Sequence, residues 1–146
     1  MGINEIQDKI IEDFSVLDGD QEMTNFYLMD LGQKLPDFPE SKRTEENLVN
    51  GCQSKVWLDA EIKDGKVYYY ADSNTAITKG LVSLLVRVYN EQDPTDILMS
   101  ELYFPEKIGM SRFIGTQRSN GFKAMIKQFK VYAVALKTKM EMAKNG

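Results

Sequence analysis

The chain has no histidine among its 146 residues. That excludes histidine-ligated metal sites, Ser-His-Asp triads and Cys-His dyads in one step. Cysteine and tryptophan occur once each, as Cys52 and Trp57. One cysteine forms no internal disulfide, which fits a reducing compartment, the cytoplasm by default. A lone thiol also falls short of the several thiolates a zinc or cluster site takes, so no metal is expected. Apolar runs stay far below the ~20 residues of a membrane span, and the N-terminus lacks a basic region followed by an apolar stretch. Neither a membrane segment nor a signal peptide is therefore expected. Positive charge is short too, with 18 Lys and Arg against 22 Asp and Glu and a net charge of -4. Nucleic-acid binding usually shows as a basic excess, so no nucleic-acid partner is expected. The one cationic concentration, Lys123, Lys127, Lys130, Lys137, Lys139 and Lys144, reads as the solvated side of a helix.

What is present suits one compact domain over residues 1–146, with 42% hydrophobic residues. A chain of that length buries roughly two-thirds of its unfolded surface and needs no disulfide staple. Ile3, Ile6, Ile10, Phe14 and Leu17 recur at helical spacing and predict a helix over 3–17, with Asn4 and Gln7 as a capping box. A second helix is expected from Gln21 to Lys34, capped by Asp20 and burying Met23, Phe26, Tyr27 and Leu31. Pro36 and Pro39 end helical structure, and residues 35–46 read as a surface connection. Three strands are expected: Glu46–Val49, Lys55–Ile62 and Lys66–Ala71, the last two joined by an Asp64-Gly65 hairpin turn. Asp72-Ser73-Asn74 offer caps for a helix over Thr75–Tyr89, whose wide apolar stripe makes it the central one. Asp93-Pro94 starts a short helix. Residues 101–115 read as irregular, with a turn near Pro105–Ile108, and a final helix runs from Arg118 or Ser119 to Met142. The order of elements gives an α+β fold, a small antiparallel sheet of about three strands packed against helices.

The stretch Asn47–Leu58 holds both unique residues, and Cys52 follows an Asn-Gly pair that signals a tight turn. A turn is an unusual place for a core residue, so Cys52 reads either as a presented reactive thiol or as a small buried hydrophobe. A free thiol has a pKa near 8.5, and lowering it by one unit takes about 1.4 kcal/mol of differential stabilisation. Lys55, or Arg118 at a helix start, are the candidates to supply it, whereas burial would raise the pKa. Trp57 is either sheet cover or a docking anchor, and Tyr68-Tyr69-Tyr70 either strand composition or a binding surface. Glu106 alone says nothing beyond a possible ion pair with Lys107 or Lys55.

Several segments, in order, resemble the SufE family of sulfur-acceptor proteins. They are Leu31–Pro36, Val49–Trp57, Ala71–Asn74 with Ile77–Leu81, Tyr89-Asn90 with Pro94–Leu98, and Arg118–Gly121 with Ala124–Ile126. The resemblance spans about residues 30–130 and implies a SufE/IscU-like fold. It implies that Cys52 takes persulfide sulfur from a pyridoxal-phosphate cysteine desulfurase (SufS- or CsdA-like), stimulates that enzyme and passes the sulfur to an iron–sulfur scaffold. The cofactor belongs to the desulfurase, and this chain is expected to hold none. By the same resemblance Gly51, Gln53 and Ser54 shape the acceptor loop, Asp72 and Arg118 sit around it, and Glu106 and Asn74 belong to the partner-facing region. The chain departs from the family pattern at Asn74, where Asp is common, at Gln117, where Ser is common, and at Phe113-Ile114, where His-Leu is frequent. Competing readings are a non-catalytic protein-binding module and a redox-sensing thiol, the latter requiring ready sulfenic acid formation.

Overall fold

In a computed structural model describing residues 1–145, helices α1 (Ile3–Ser15) and α2 (Gln21–Gln33) precede a hairpin of β1 (Val56–Lys63) and β2 (Lys66–Ser73). Helices α3 (Ala76–Tyr89), α4 (Pro94–Met99), α5 (Phe104–Lys107) and α6 (Met110–Asn145) follow. The α+β class and the helical pattern stand. The sheet has two strands rather than three, in register from Val56 opposite Ser73 to Lys63 opposite Lys66. The segment expected as a first strand instead forms a 3-10 turn, Glu45–Asn47, and adds one bridge, Leu48 to Trp57. It reaches the Asn50-Gly51 turn too soon to pair further. On the other edge Val67 bridges Gln92.

The hairpin turns at Asp64 and Gly65, both at positive φ, as an Asp-Gly pair allows. Alternation along β1 and β2 sends Val56, Leu58, Val67, Tyr69 and Ala71 inward, where all are buried. They meet α3, which is buried on almost every side from Leu81 to Val86, and the inner face of α6. Each buried Val or Leu there contributes roughly 1.5–3 kcal/mol of transfer free energy. Of the three consecutive tyrosines only Tyr69 is buried. Its hydroxyl donates to the Phe129 carbonyl at 2.7 Å, and its ring sits 4.6 Å from that of Phe129.

Two expectations about the N-terminal helices are corrected. Gly2, not Asn4, precedes the first helical residue, so Asn4 and Gln7 form no capping box. Gln7 is fully buried and does other work. Its side chain accepts from the Tyr103 and Phe104 amides and donates to the Glu101 carbonyl, docking α1 onto the start of α5. In α2, Asp20 caps as expected, accepting from the Met23 amide at 2.9 Å. The helix is rotated, however, so that Met23 and Phe26 are exposed and Thr24, Leu28 and Gly32 face inward. The cause is close packing on α3. A Cβ on Gly80 would lie 2.0 Å from the Leu28 carbonyl oxygen, and one on Gly32 would lie 2.8 Å from the Gly80 nitrogen. Only glycine permits that backbone contact.

Residues 101–115 are more regular than expected, since α5 and the first turns of α6 both fall there. The break in α6 is Gly115, at φ 81° and ψ 172°, so the residues before it form a separate short helix. Its Met110 and Ile114 are buried. Arg118 therefore does lie in the first turn after a helix break, as the sequence suggested. No helix among the described residues is long and apolar enough to cross a membrane.

Candidate functional site

The lobe that carries Cys52 is pinned at its base and folded back at its tip. At the base, the Val49 amide donates to the Val56 carbonyl at 2.8 Å. Lys55 is fixed from the other side: its amide donates to Asn74 Oδ1 at 3.0 Å, and its carbonyl accepts from the Asn74 amide and the Ser73 hydroxyl. Asn74 and Ser73, expected as helix caps, thus serve as clamps on the loop. At the tip, Gly51 takes φ +94°, a left-handed conformation that favours glycine. It lies so close to α6 that a Cβ there would be 3.1 Å from the Cβ of Ala124.

The turn does not hold Cys52 out into solvent. The thiol is half-buried and donates a weak hydrogen bond to the Gly121 carbonyl on α6 at 3.4 Å. A small cleft of about 100 Å³ opens beside it, lined by Cys52, Gln53, Ser54, Thr78, Leu81, Gln117, Arg118, Gly121 and Met125. Liquid water occupies about 30 Å³ per molecule, so the cleft has ample room for a further sulfur atom on Cys52. Burial pushes the Cys52 thiol up from its ordinary value. In this posture the Cys52 sulfur hydrogen-bonds to the Gly121 carbonyl, and no hydrogen bond from Lys55 or Arg118 reaches it among the described residues. Arg118 lines the cleft but is exposed.

Of the residues singled out in the sequence, Cys52, Gln53, Ser54 and Arg118 meet in this cleft, with Gly51 at the turn and Asn74 at the loop base. Asp72 is placed otherwise. It is buried opposite Trp57 in the hairpin, where one oxygen pairs with Arg43 at 2.7 Å and the other with Lys79 at 3.3 Å. Burial alone would raise its carboxyl pKa. Hydrogen bonds from Arg43, the Ser73 amide and Lys79 outweigh that and hold it below the usual value. Arg43 also pairs with Glu40, and Lys42 with Asp59 at 3.3 Å, so residues 40–43 strap the outer face of the hairpin. Asp72 braces the strand that ends in the clamp. Glu106 lines a different, mostly apolar cavity of about 370 Å³ between α5 and α6, with Leu102, Met110, Ser119, Phe122 and Lys123.

Thr78, Leu81, Gln117, Gly121 and Met125 also line the cleft but were not among the expected site residues, although they lie in or beside the segments that resemble the family. Thr78 and Gly121 did carry a signal: a threonine within the apolar stripe of α3, and a glycine inside a helical run. No group of three or more His, Cys, Asp or Glu side chains placed to hold a metal occurs among the described residues.

An α+β domain with a single thiol docked on a clamped loop is the class that fold and site define. Comparison with known proteins places it further. A family model described as SufE, Fe-S metabolism associated domain, matches residues 8–133, and the chain belongs to that family. It is 34% identical over 128 residues to an uncharacterized SufE-like protein of Rhizobium meliloti, covering 84% of this chain and 91% of that one. It is 35% identical over 128 residues to another from Rhizobium etli, covering 84% and 86%. In fold it matches a hypothetical protein of Thermus thermophilus solved in solution, with a TM-score of 0.74 and 21% identity over 91% of this chain and 96% of the other.

Proposed function

We propose that the protein is a sulfur acceptor for a cysteine desulfurase, with Cys52 as the carrier, and that it delivers sulfur to iron–sulfur cluster assembly. The observation that carries the reading is the lone thiol on a clamped loop, facing a cleft with room for a further sulfur atom. Membership of a family associated with iron–sulfur metabolism supports it. In the transfer, a Cys52 lone pair forms a new S–S bond to the outer sulfur of the desulfurase persulfide. The old S–S bond breaks, its electron pair leaves with the desulfurase thiolate, and the Cys52 proton ends on that thiolate. The exchange is redox-neutral. It needs no histidine, because nucleophile and leaving group are both thiols.

The docked posture adds a constraint. The sulfur is half-buried against Gly121, so lifting of the loop from α6 exposes Cys52 to react. A desulfurase that draws the loop out gains an acceptor, and redocking shelters the persulfide from other thiols. Pyridoxal phosphate acts on the desulfurase side. The soluble cytoplasm and a scaffold as recipient belong to the same proposal. Desulfurase turnover in the presence of the protein tests it. Wild-type protein is expected to raise turnover, and the Cys52→Ser variant to leave it at the basal rate. Equal stimulation by both would favour a binding role without thiol chemistry.

A further inference from the structure

Beside Cys52 lies a chain of three hydroxyls that the acceptor reading leaves unused. Thr75 precedes α3 as its N-cap residue, a position where threonine ordinarily accepts a hydrogen bond from a first-turn amide. Here it makes no such cap, and its hydroxyl donates instead to Ser54 Oγ at 3.0 Å. Thr78, one turn into α3 and only 5% exposed, also donates to Ser54 Oγ, at 3.4 Å. Ser54 Oγ thus lies within hydrogen-bond reach of both threonine hydroxyls, and with both donating to it its own O–H is left to turn toward the cleft. Ser54 and Thr78 both line the cleft with Cys52. A hydroxyl that accepts two hydrogen bonds is polarised into a better donor.

We propose that the Ser54 hydroxyl, oriented by Thr75 and Thr78, donates the hydrogen bond that holds the outer sulfur of a Cys52 persulfide in this cleft. The inference rests on the sulfur-acceptor reading and gives that site a residue that touches the cargo. Ser54 contacts the sulfur. Thr75 and Thr78 are positioning residues that act through it. The bond strengthens as the outer sulfur becomes anionic, since hydrogen bonds to charged acceptors are roughly twice as strong as neutral ones. It thereby favours the anionic, transferable form inside a cleft whose burial opposes charge.

The test loads Cys52 without a desulfurase, using glutathione persulfide. The Cys52 sulfur bonds to the outer sulfur of the donor, and the glutathione thiolate leaves with the electron pair and takes up the proton. The rate at which iodoacetamide caps the loaded persulfide is then followed against pH by intact mass. Arg118, the one charged side chain lining the cleft, is common to every variant. Ser54→Ala is expected to move the midpoint up by about one pH unit, the loss of about tenfold in preference for the anion. Thr78→Val should shift it less in the same direction, and Thr78→Ser should restore the wild-type profile. Ser54→Ala and Ser54→Gly profiles that superimpose on wild type, in proteins with unchanged circular dichroism, would overturn the proposal. A Thr78→Val profile equal to wild type would remove Thr78 from it. Because no desulfurase takes part, failure here is distinct from failure of the acceptor reading, which shows as no loading by a desulfurase.

Discussion

Gly51→Ala tests whether the docked loop gates Cys52. Gly51 holds φ +94°, and a Cβ there would stand 3.1 Å from the Cβ of Ala124, closer than the ~3.5–4.0 Å of comfortable carbon contact. The left-handed conformation costs an L-residue about 1–2 kcal/mol. The crowding falls on the docked posture alone, because it disappears when the tip lifts from α6. If both are relieved on opening, the docked state loses about 1–2 kcal/mol and the open population rises roughly 5- to 30-fold. The assay is alkylation of Cys52 by iodoacetamide in native buffer, with urea unfolding run in parallel. Global unfolding, at a typical ~5–15 kcal/mol, is too rare to carry the reaction, so the rate reports local opening. Alkylation should accelerate by that factor in Gly51→Ala, and Ala124→Gly in the same background should return part of it. An unchanged rate would refute the claim that docking on α6 protects the thiol.

Further predictions follow the same geometry. In wild-type protein the pH at half-maximal alkylation should lie above the ~8.5 of a free thiol, because burial raises Cys52. A midpoint at or below 8 would place an unrecognised cation at the site. Arg43→Ala removes the 2.7 Å partner of a buried carboxylate while leaving Lys79 in place, and should lower stability measurably at pH 7. Asp72 is held below its unfolded value, so this contribution is present above the unfolded pKa and fades as pH falls through the folded one. The difference between the two proteins in urea should therefore shrink in acid, and one that grew would reverse the assignment. Arg118→Ala, at an exposed position, should change stability by no more than ~0.5 kcal/mol yet lower sulfur transfer from a desulfurase. Normal transfer by that variant would leave Arg118 without a role.

The helices, the hairpin and the place of the thiol were legible because each rests on local chemistry. Asp20 and Asp93 cap, Pro94 opens a helix, and Asp64-Gly65 turns the strands. The rotation of α2 was not legible by the same means. Apolar volume marked Met23 and Phe26 as buried, but the helix packs through Gly32 against Gly80, where missing side chains decide the interface. Gln7 misled for a related reason: its partners lie over ninety residues away, at Glu101, Tyr103 and Phe104. The third strand failed because two residues before a tight turn satisfy one bridge and no ladder. In the site, motif order brought out Cys52 and its loop. The posture of the thiol and its contact with Gly121 depend on how α6 breaks at Gly115 and runs past the loop, which no local pattern encodes.

The central claim is that Cys52 carries sulfur, and peptide-level mass spectrometry after brief incubation with a cysteine desulfurase and cysteine tests it most directly. The account predicts that the peptide containing Cys52 gains the mass of one sulfur atom, removable by a reducing thiol, and that Cys52→Ser gains nothing. A Cys52 peptide that stays unmodified beside an active desulfurase which this protein stimulates would contradict it.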